Sequence, residues 1–147
     1  MDLGRIGIWT NALDAQPVSL AQEAAAELEE LGFGALWYPE SVQREAMPTP
    51  IPRWHGESPV GFTERCLALE NYTNNLRRLG FGDEDLAGAG SDRLVDAVVA
   101  WGGIDQVAAR VQAHLDAGAN HVCIQSLEAD PRALPTRSWR ALAEALL

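Results

Sequence analysis

Lysine is absent from this chain of 147 residues, whose 11 basic residues are all arginine. Against 21 Asp and Glu residues they leave a formal net charge of −10. Such a charge repels the phosphates of nucleic acids and the headgroups of anionic membranes, so we expect the chain to bind neither. The missing lysine also excludes a P-loop, because that motif holds its phosphates with a lysine.

Cysteine and long apolar runs are scarce. Cys66 and Cys123 form no CxxC pair, so we expect reduced thiols rather than a disulfide framework. The chain has no run of roughly 20 apolar residues that could cross a bilayer, and residues 1–10 lack the features of a signal peptide. We therefore expect a cytoplasmic protein. His121 and Cys123 are more simply explained as strand residues than as metal ligands, and no metal site is predicted.

The first 46 residues have the pattern of a strand, a helix and a second strand. Residues 5–9, Arg5-Ile6-Gly7-Ile8-Trp9, form a short β-rich and mainly apolar run that predicts a buried strand. Ser19 is predicted to cap a helix with an apolar stripe, and Gly32 to end it. Residues 33–38 predict the second strand. A βαβ unit of this kind predicts two parallel strands joined by a right-handed crossover.

The rest of the chain repeats this pattern after a proline-rich junction over residues 47–62. A strand is predicted at His121–Ile124. Four further helices are predicted over residues 63–79, from Ser91 to Trp101, from Asp105 to Gly118, and over 136–147. The predicted fold class is thus α/β, with about three parallel strands and flanking helices. We expect one domain, 1–147, comprising 1–46, the junction 47–62, and 63–147.

Polar and aromatic residues follow each predicted strand. Ligands of parallel α/β folds bind at the carboxyl ends of the strands. These ends carry Trp9-Thr10-Asn11, Tyr38-Pro39-Glu40-Ser41 and Gln125-Ser126. Glu40 is the acidic residue among them and is the candidate for acid–base chemistry, with a solvated turn residue as the alternative.

Two long stretches carry a family resemblance. The sequences IGIWT and SLAQEAAAELEELGFGALWYPES resemble the first strand, helix and second strand of the luciferase-like monooxygenase superfamily, specifically its actinobacterial deazaflavin-dependent oxidoreductases. The sequences ALENYTNNLRRLGFGDEDLAGAGSDRLVDAVVAWGG and VQAHLDAGANHVCIQSL look like the C-terminal part of the same branch. The resemblance covers residues 3–46 and 67–147. It implies a partial (β/α)₈ TIM barrel, because strands three to about six of the family's barrel have no counterpart in this chain.

The resemblance also implies a function. The chain would be an oxidoreductase that uses coenzyme F420, or alternatively FMN, to transfer hydride to or from a small organic substrate. Glu40 would be catalytic, and Tyr72 and Asn75 would lie near the substrate. The residues that would bind the cofactor are Trp9, Thr10, Asn11, Ser41 and Gln125. A homo-oligomer would cover the open sheet edges, and the alternative function is that of a non-catalytic remnant or oligomerisation partner of the same fold.

Overall fold

Three parallel strands form the sheet of the protein, whose computed structural model describes residues 3–37, 59–130 and 132–147. The strands are β1 (Ile6–Trp9), β2 (Ala35–Trp37) and β3 (Val122–Ile124). Their order is β2-β1-β3, so β1 is central. Gly7 is in register with Ala35 on one side and with Cys123 on the other. The predicted α/β class and its three parallel strands are confirmed.

Seven α-helices lie within the described ranges. They are α1 (Val18–Glu30), α2 (Pro59–Leu67), α3 (Glu70–Arg78), α4 (Asp83–Leu86), α5 (Asp92–Val98), α6 (Ile104–Asp116) and α7 (Thr136–Leu146). A 3₁₀ helix (Ala12–Ala15) connects β1 to α1. Across these ranges, no helix has both the length and the apolar character that crossing a membrane requires.

The main core lies on one face of the sheet. Side chains alternate between faces along a strand, so Ile6 and Ile8 of β1 point to the same side. They are packed with buried residues from three helices, namely Ala24 and Leu28 of α1, Val111 of α6, and Trp139, Leu142 and Ala143 of α7. Helices α1, α6 and α7 therefore all cover the same face of the sheet. Removal of this apolar surface from water is the main force that holds the layers together.

Helices α2 to α5 form a second packed group. Helix α2 packs against both α3 and α5, and α4 packs against α5. Thr63, Leu76, Leu94 and Val95 are the most deeply buried residues of this group apart from Asp85. The group lies between β2 and α6 in the chain, and α5 leads into the extended residue Val99.

The predicted helix over residues 63–79 is wrong as a single element. It is divided into α2 and α3 at Leu69, whose backbone is extended. The division allows α3 to pack against α2, which one straight helix could not do. Helix α2 also begins at Pro59, so residues 59–62 of the 47–62 junction are helical. Residues 47–58 lie outside the described residues.

Two of the predicted N-terminal helix caps are wrong, whereas a third cap and two C-terminal glycine stops are right. Helix α1 begins after Pro17, so Ser19 lies inside it. Helix α6 begins after Gly103, whose N–H donates to Oε1 of Gln106 at 2.7 Å, so Asp105 is in its first turn rather than its cap. The predictions that hold are the Ser91 cap, whose hydroxyl accepts from the Leu94 N–H, and the stops at Gly32 and Gly118, which have positive φ.

Candidate functional site at the carboxyl ends of the strands

The end of β1 is built into a tight turn. The Thr10 N–H donates to the Trp37 carbonyl at 3.1 Å, which extends the pairing of β1 with β2 by one residue. Thr10 is buried, and its hydroxyl oxygen accepts from the Ala12 N–H at 3.1 Å. A threonine hydroxyl that binds the backbone two residues later stabilises a turn. Thr10 therefore shapes the turn at this edge.

Three predicted site residues besides Thr10 share this edge of the sheet. Trp9 ends β1 and is half-buried, and Asn11 follows at the start of the 3₁₀ helix, where its side chain forms no capping bond. Gln125 follows β3 directly and is exposed. Because all strands are parallel, the ends of β1 and β3 lie at the same edge. The site thus offers one indole ring and two carboxamides. Each carboxamide can both donate and accept hydrogen bonds.

A glutamine fixes the loop after β1. Nε2 of Gln16 donates to the Ala12 carbonyl at 3.1 Å and to the Arg132 carbonyl at 2.6 Å. The second bond joins the loop after β1 to the segment before α7. The loop that carries Asn11 is therefore tied to the segment that leads into α7.

His121 occupies the face of the sheet opposite the main core. Its Nε2 accepts from the indole N–H of Trp37 at 3.0 Å, and its Nδ1 lies 2.8 Å from the Gly4 carbonyl. An indole only donates and a carbonyl only accepts, so the ring carries its proton on Nδ1. A Cβ atom on Gly7 would lie 2.7 Å from Nε2, which shows that the imidazole rests directly on the glycine of β1.

Cys123 lies on the same face, two residues after His121. The residue is exposed, and desolvation of its sulfur against the sheet raises the pKa of the thiol. The thiol is therefore protonated at neutral pH, and its nucleophilicity is low. Among the described residues, no group of three or more His, Cys, Asp or Glu side chains is placed to hold a metal ion.

A cleft of about 560 Å³ runs beside β3. Its walls come from β3 and the residues after it, α6, α7, the segment Val98–Gly102, and Phe62 of α2. Gln125 and Ser126 line it, which places the end of β3 at the cleft. Trp9, Thr10 and Asn11 are not among the lining residues, so the cleft and the end of β1 are separate features.

The structure does not bring all the predicted site residues together at one place. Tyr72 and Asn75 are exposed on α3, and neither lines the cleft. Glu40 and Ser41 lie outside the described residues, so only their sequence position after β2 is known. The features that sequence reasoning missed are the Trp37–His121 hydrogen bond and the role of Arg110 in the cleft wall. The glycine at position 7 was the available signal for the first, because it leaves room for a ring above the strand.

Comparison of the chain with protein-family models, curated proteins and solved structures finds no match in any of the three. The function must therefore be argued from the sequence and from the geometry of the strand ends.

Proposed function

We propose that this chain is a partial (β/α)₈ barrel of luciferase-like type that binds the ring of coenzyme F420, or of FMN, at the carboxyl ends of β1 and β3. One observation carries the proposal. The last strand, β3, pairs in parallel with the first, β1, while α1, α6 and α7 all cover one face of the sheet. In a β/α barrel the last strand also meets the first, and every helix is on the outside. A doubly wound sheet carries helices on both faces.

The side chains at these strand ends fit a flat heterocycle with polar edges. The half-buried indole of Trp9 provides an aromatic wall, and the carboxamides of Asn11 and Gln125 can pair with ring carbonyl and N–H groups. The bound cofactor would supply hydride transfer. In this proposal the chain's own residues bind and orient the ring, and Thr10 and Gln16 hold the loop that carries Asn11.

Glu40, Ser41, Tyr72 and Asn75 have supporting roles in the proposal. Glu40 follows β2 by three residues in the sequence and is proposed to move the proton that accompanies hydride transfer. Ser41 would contact the cofactor. Tyr72 and Asn75 would contact the substrate, a small organic molecule.

A titration with F420 and with FMN tests the proposal. Saturable binding of either cofactor, weakened about fivefold by Gln125→Ala through loss of one hydrogen bond, supports it. Gln112→Ala is the matched control, because Gln112 is exposed on α6 and does not line the cleft at the end of β3. Glu40→Gln should lower turnover and leave the dissociation constant unchanged. Absence of saturable binding of both cofactors would overturn the proposal.

A second candidate function is that of a non-catalytic partner that associates with another copy of the chain. The observation that favours it is the exposure of Trp37 and Cys123 on the sheet face opposite the core, together with the outer edge of β3, which no described strand covers. Open strand edges favour association.

Light scattering tests this second function and should give a mass above 15.9 kDa for the parent chain. The mass should fall to the monomer value in Cys123→Arg. It should not fall in Leu79→Arg, the control, because Leu79 is an exposed residue at the end of α3. A monomer at all concentrations would exclude this function.

A further inference from the structure

The cleft beside β3 combines an apolar interior with an exposed arginine, Arg110. Val107 and Val111 of α6, Ile124 of β3 and Leu142 of α7 line its interior. Arg110 and His114 line it from the same face of α6, since positions 107, 110, 111 and 114 follow the three- and four-residue spacing of one helical face. A mostly apolar cleft of a few hundred Å³ with a few polar groups is typical of small-molecule sites.

The guanidinium of Arg110 is among the groups that line the cleft. The described residues that line it include Arg110 and His114 but no Asp or Glu. Two carboxylates that do not line the cleft bind to residues that do: Asp96 accepts from the indole N–H of Trp101 at 2.8 Å, and Glu128 accepts from the Ser138 hydroxyl at 2.8 Å. The guanidinium of Arg110 is positioned by a hydrogen bond from Nη2 to the Ala97 carbonyl at 2.5 Å. A guanidinium has five N–H donors, so further donors are available to an anion.

We propose that this cleft binds a soluble amphipathic anion, that is, a small molecule with an apolar chain or ring and one carboxylate. The apolar part would lie against Val107, Val111 and Leu142, and the carboxylate would pair with Arg110 at the rim. The net charge of −10 opposes docking on an anionic bilayer, so the ligand is taken from solution. This site shares Gln125 with the proposed cofactor site but not Trp9, Thr10 or Asn11, and the inference rests on Arg110 and the apolar wall rather than on the cofactor.

Decanoate, kept below its micelle concentration, is the probe. In ¹H–¹⁵N spectra of the full chain, saturable shifts are expected for amides of α6 and β3 and not for those of α3. Decanol tests the apolar part alone, and decyltrimethylammonium reverses the charge of the headgroup. We expect decanoate to bind most tightly, and its affinity to fall with added salt.

Two arginine variants test the role of the rim. Arg110→Gln removes the charge and keeps most of the side chain, so decanoate affinity should fall about fivefold while decanol affinity stays the same. Arg78→Gln is the matched control, because Arg78 is exposed on α3 and does not line the cleft. Equal weakening by both variants, equal affinity for decanoate and decanol, or absence of saturable shifts in α6 and β3 would each overturn the proposal. Unchanged dispersion of the spectra shows that the variants are folded.

Discussion

Asp85 is the residue on which the loop between α3 and α5 depends. It is buried, and its carboxylate accepts hydrogen bonds from the Ser91 hydroxyl at 2.7 Å, the Gly82 N–H at 3.1 Å and the Arg93 guanidinium at 2.5 Å. Arg93 also stacks on Phe81, 4.7 Å from the ring centroid. Both oxygens of the carboxylate accept hydrogen bonds. In Asp85→Asn one of these atoms becomes an NH₂ group, which faces a donor and cannot accept from it. We therefore expect Asp85→Asn to lower the urea midpoint of unfolding.

Asp83→Asn is the control for this change. Asp83 is also in α4 and pairs with Arg77 at 3.1 Å, but its side chain is 87% exposed. Exposed ion pairs contribute little to stability because water and salt screen them. The urea midpoint should therefore be almost unchanged in Asp83→Asn, and an equal effect of the two substitutions would contradict the role given to Asp85.

The same carboxylate makes stability depend on pH. The Ser91 hydroxyl, followed by the Gly82 N–H and Arg93, holds the pKa of Asp85 below its ordinary value of 3.8, although burial acts in the opposite direction. A lowered pKa in the folded state stabilises the protein above the pKa of the unfolded state, and this stabilisation is lost as the pH falls through the folded value. The urea midpoint should fall as the pH is lowered from 5 towards 3, and the fall should be shallower in Asp85→Asn.

At the scale of secondary structure, Gly7 of β1 is closely packed against the residue before β3 and against β2. A Cβ atom there would lie 2.7 Å from Nε2 of His121 and 3.0 Å from the Ala35 carbonyl oxygen. Gly7→Ala must therefore displace the imidazole and break its hydrogen bond with Trp37. We expect it to lower the free energy of unfolding by about 1–3 kcal/mol, the usual cost of overpacking, in urea titrations.

A double-mutant cycle separates this clash from other effects of alanine in a strand. In a His121→Ala background the ring is absent, so Gly7→Ala should cost less than half as much as in the parent chain. The contact with the Ala35 carbonyl remains in both backgrounds and accounts for the residual cost. Additive effects of the two substitutions would mean that the imidazole does not rest on Gly7.

Local patterns in the sequence were sufficient for most elements. The short apolar run that contains Ile6 and Ile8 predicted β1, and the glycines that end α1 and α6 were identified because only a residue without Cβ readily takes positive φ. The break at Leu69 could not be predicted in this way. It arises from packing of α3 on α2, a contact between parts of the chain that no local signal records.

The candidate site was predictable only in part, for the same reason. The rule that ligands bind at strand ends selected Trp9, Asn11 and Gln125, and the parallel sheet places the strand ends that carry them at one edge. The hydrogen bond from Trp37 to His121 spans 84 positions in the sequence. The cleft likewise joins Phe62 to α6 and α7. Such arrangements follow from tertiary packing, which sequence periodicity does not encode.

At the scale of the whole molecule, the side chains are packed in two groups. One is the sheet with α1, α6 and α7, which includes the fully buried Trp139 and Ile8. The other is α2 to α5, in which Leu94 is fully buried and Asp85 fixes the connecting loop. Segments with separate cores can open independently, at a free energy below that of global unfolding.

Hydrogen exchange after Asp85→Asn tests whether the two groups open separately. Asp85→Asn disturbs the bonds to Ser91, Gly82 and Arg93, all of which lie within the α2–α5 group, so amide exchange should become faster in α3, α4 and α5. The amides of β1 and α7 should exchange at the rate of the parent chain, because their core contains none of these residues. An equal acceleration in all helices and strands would show instead that the molecule opens as one cooperative unit, in which the sheet and the α2–α5 group share their stability.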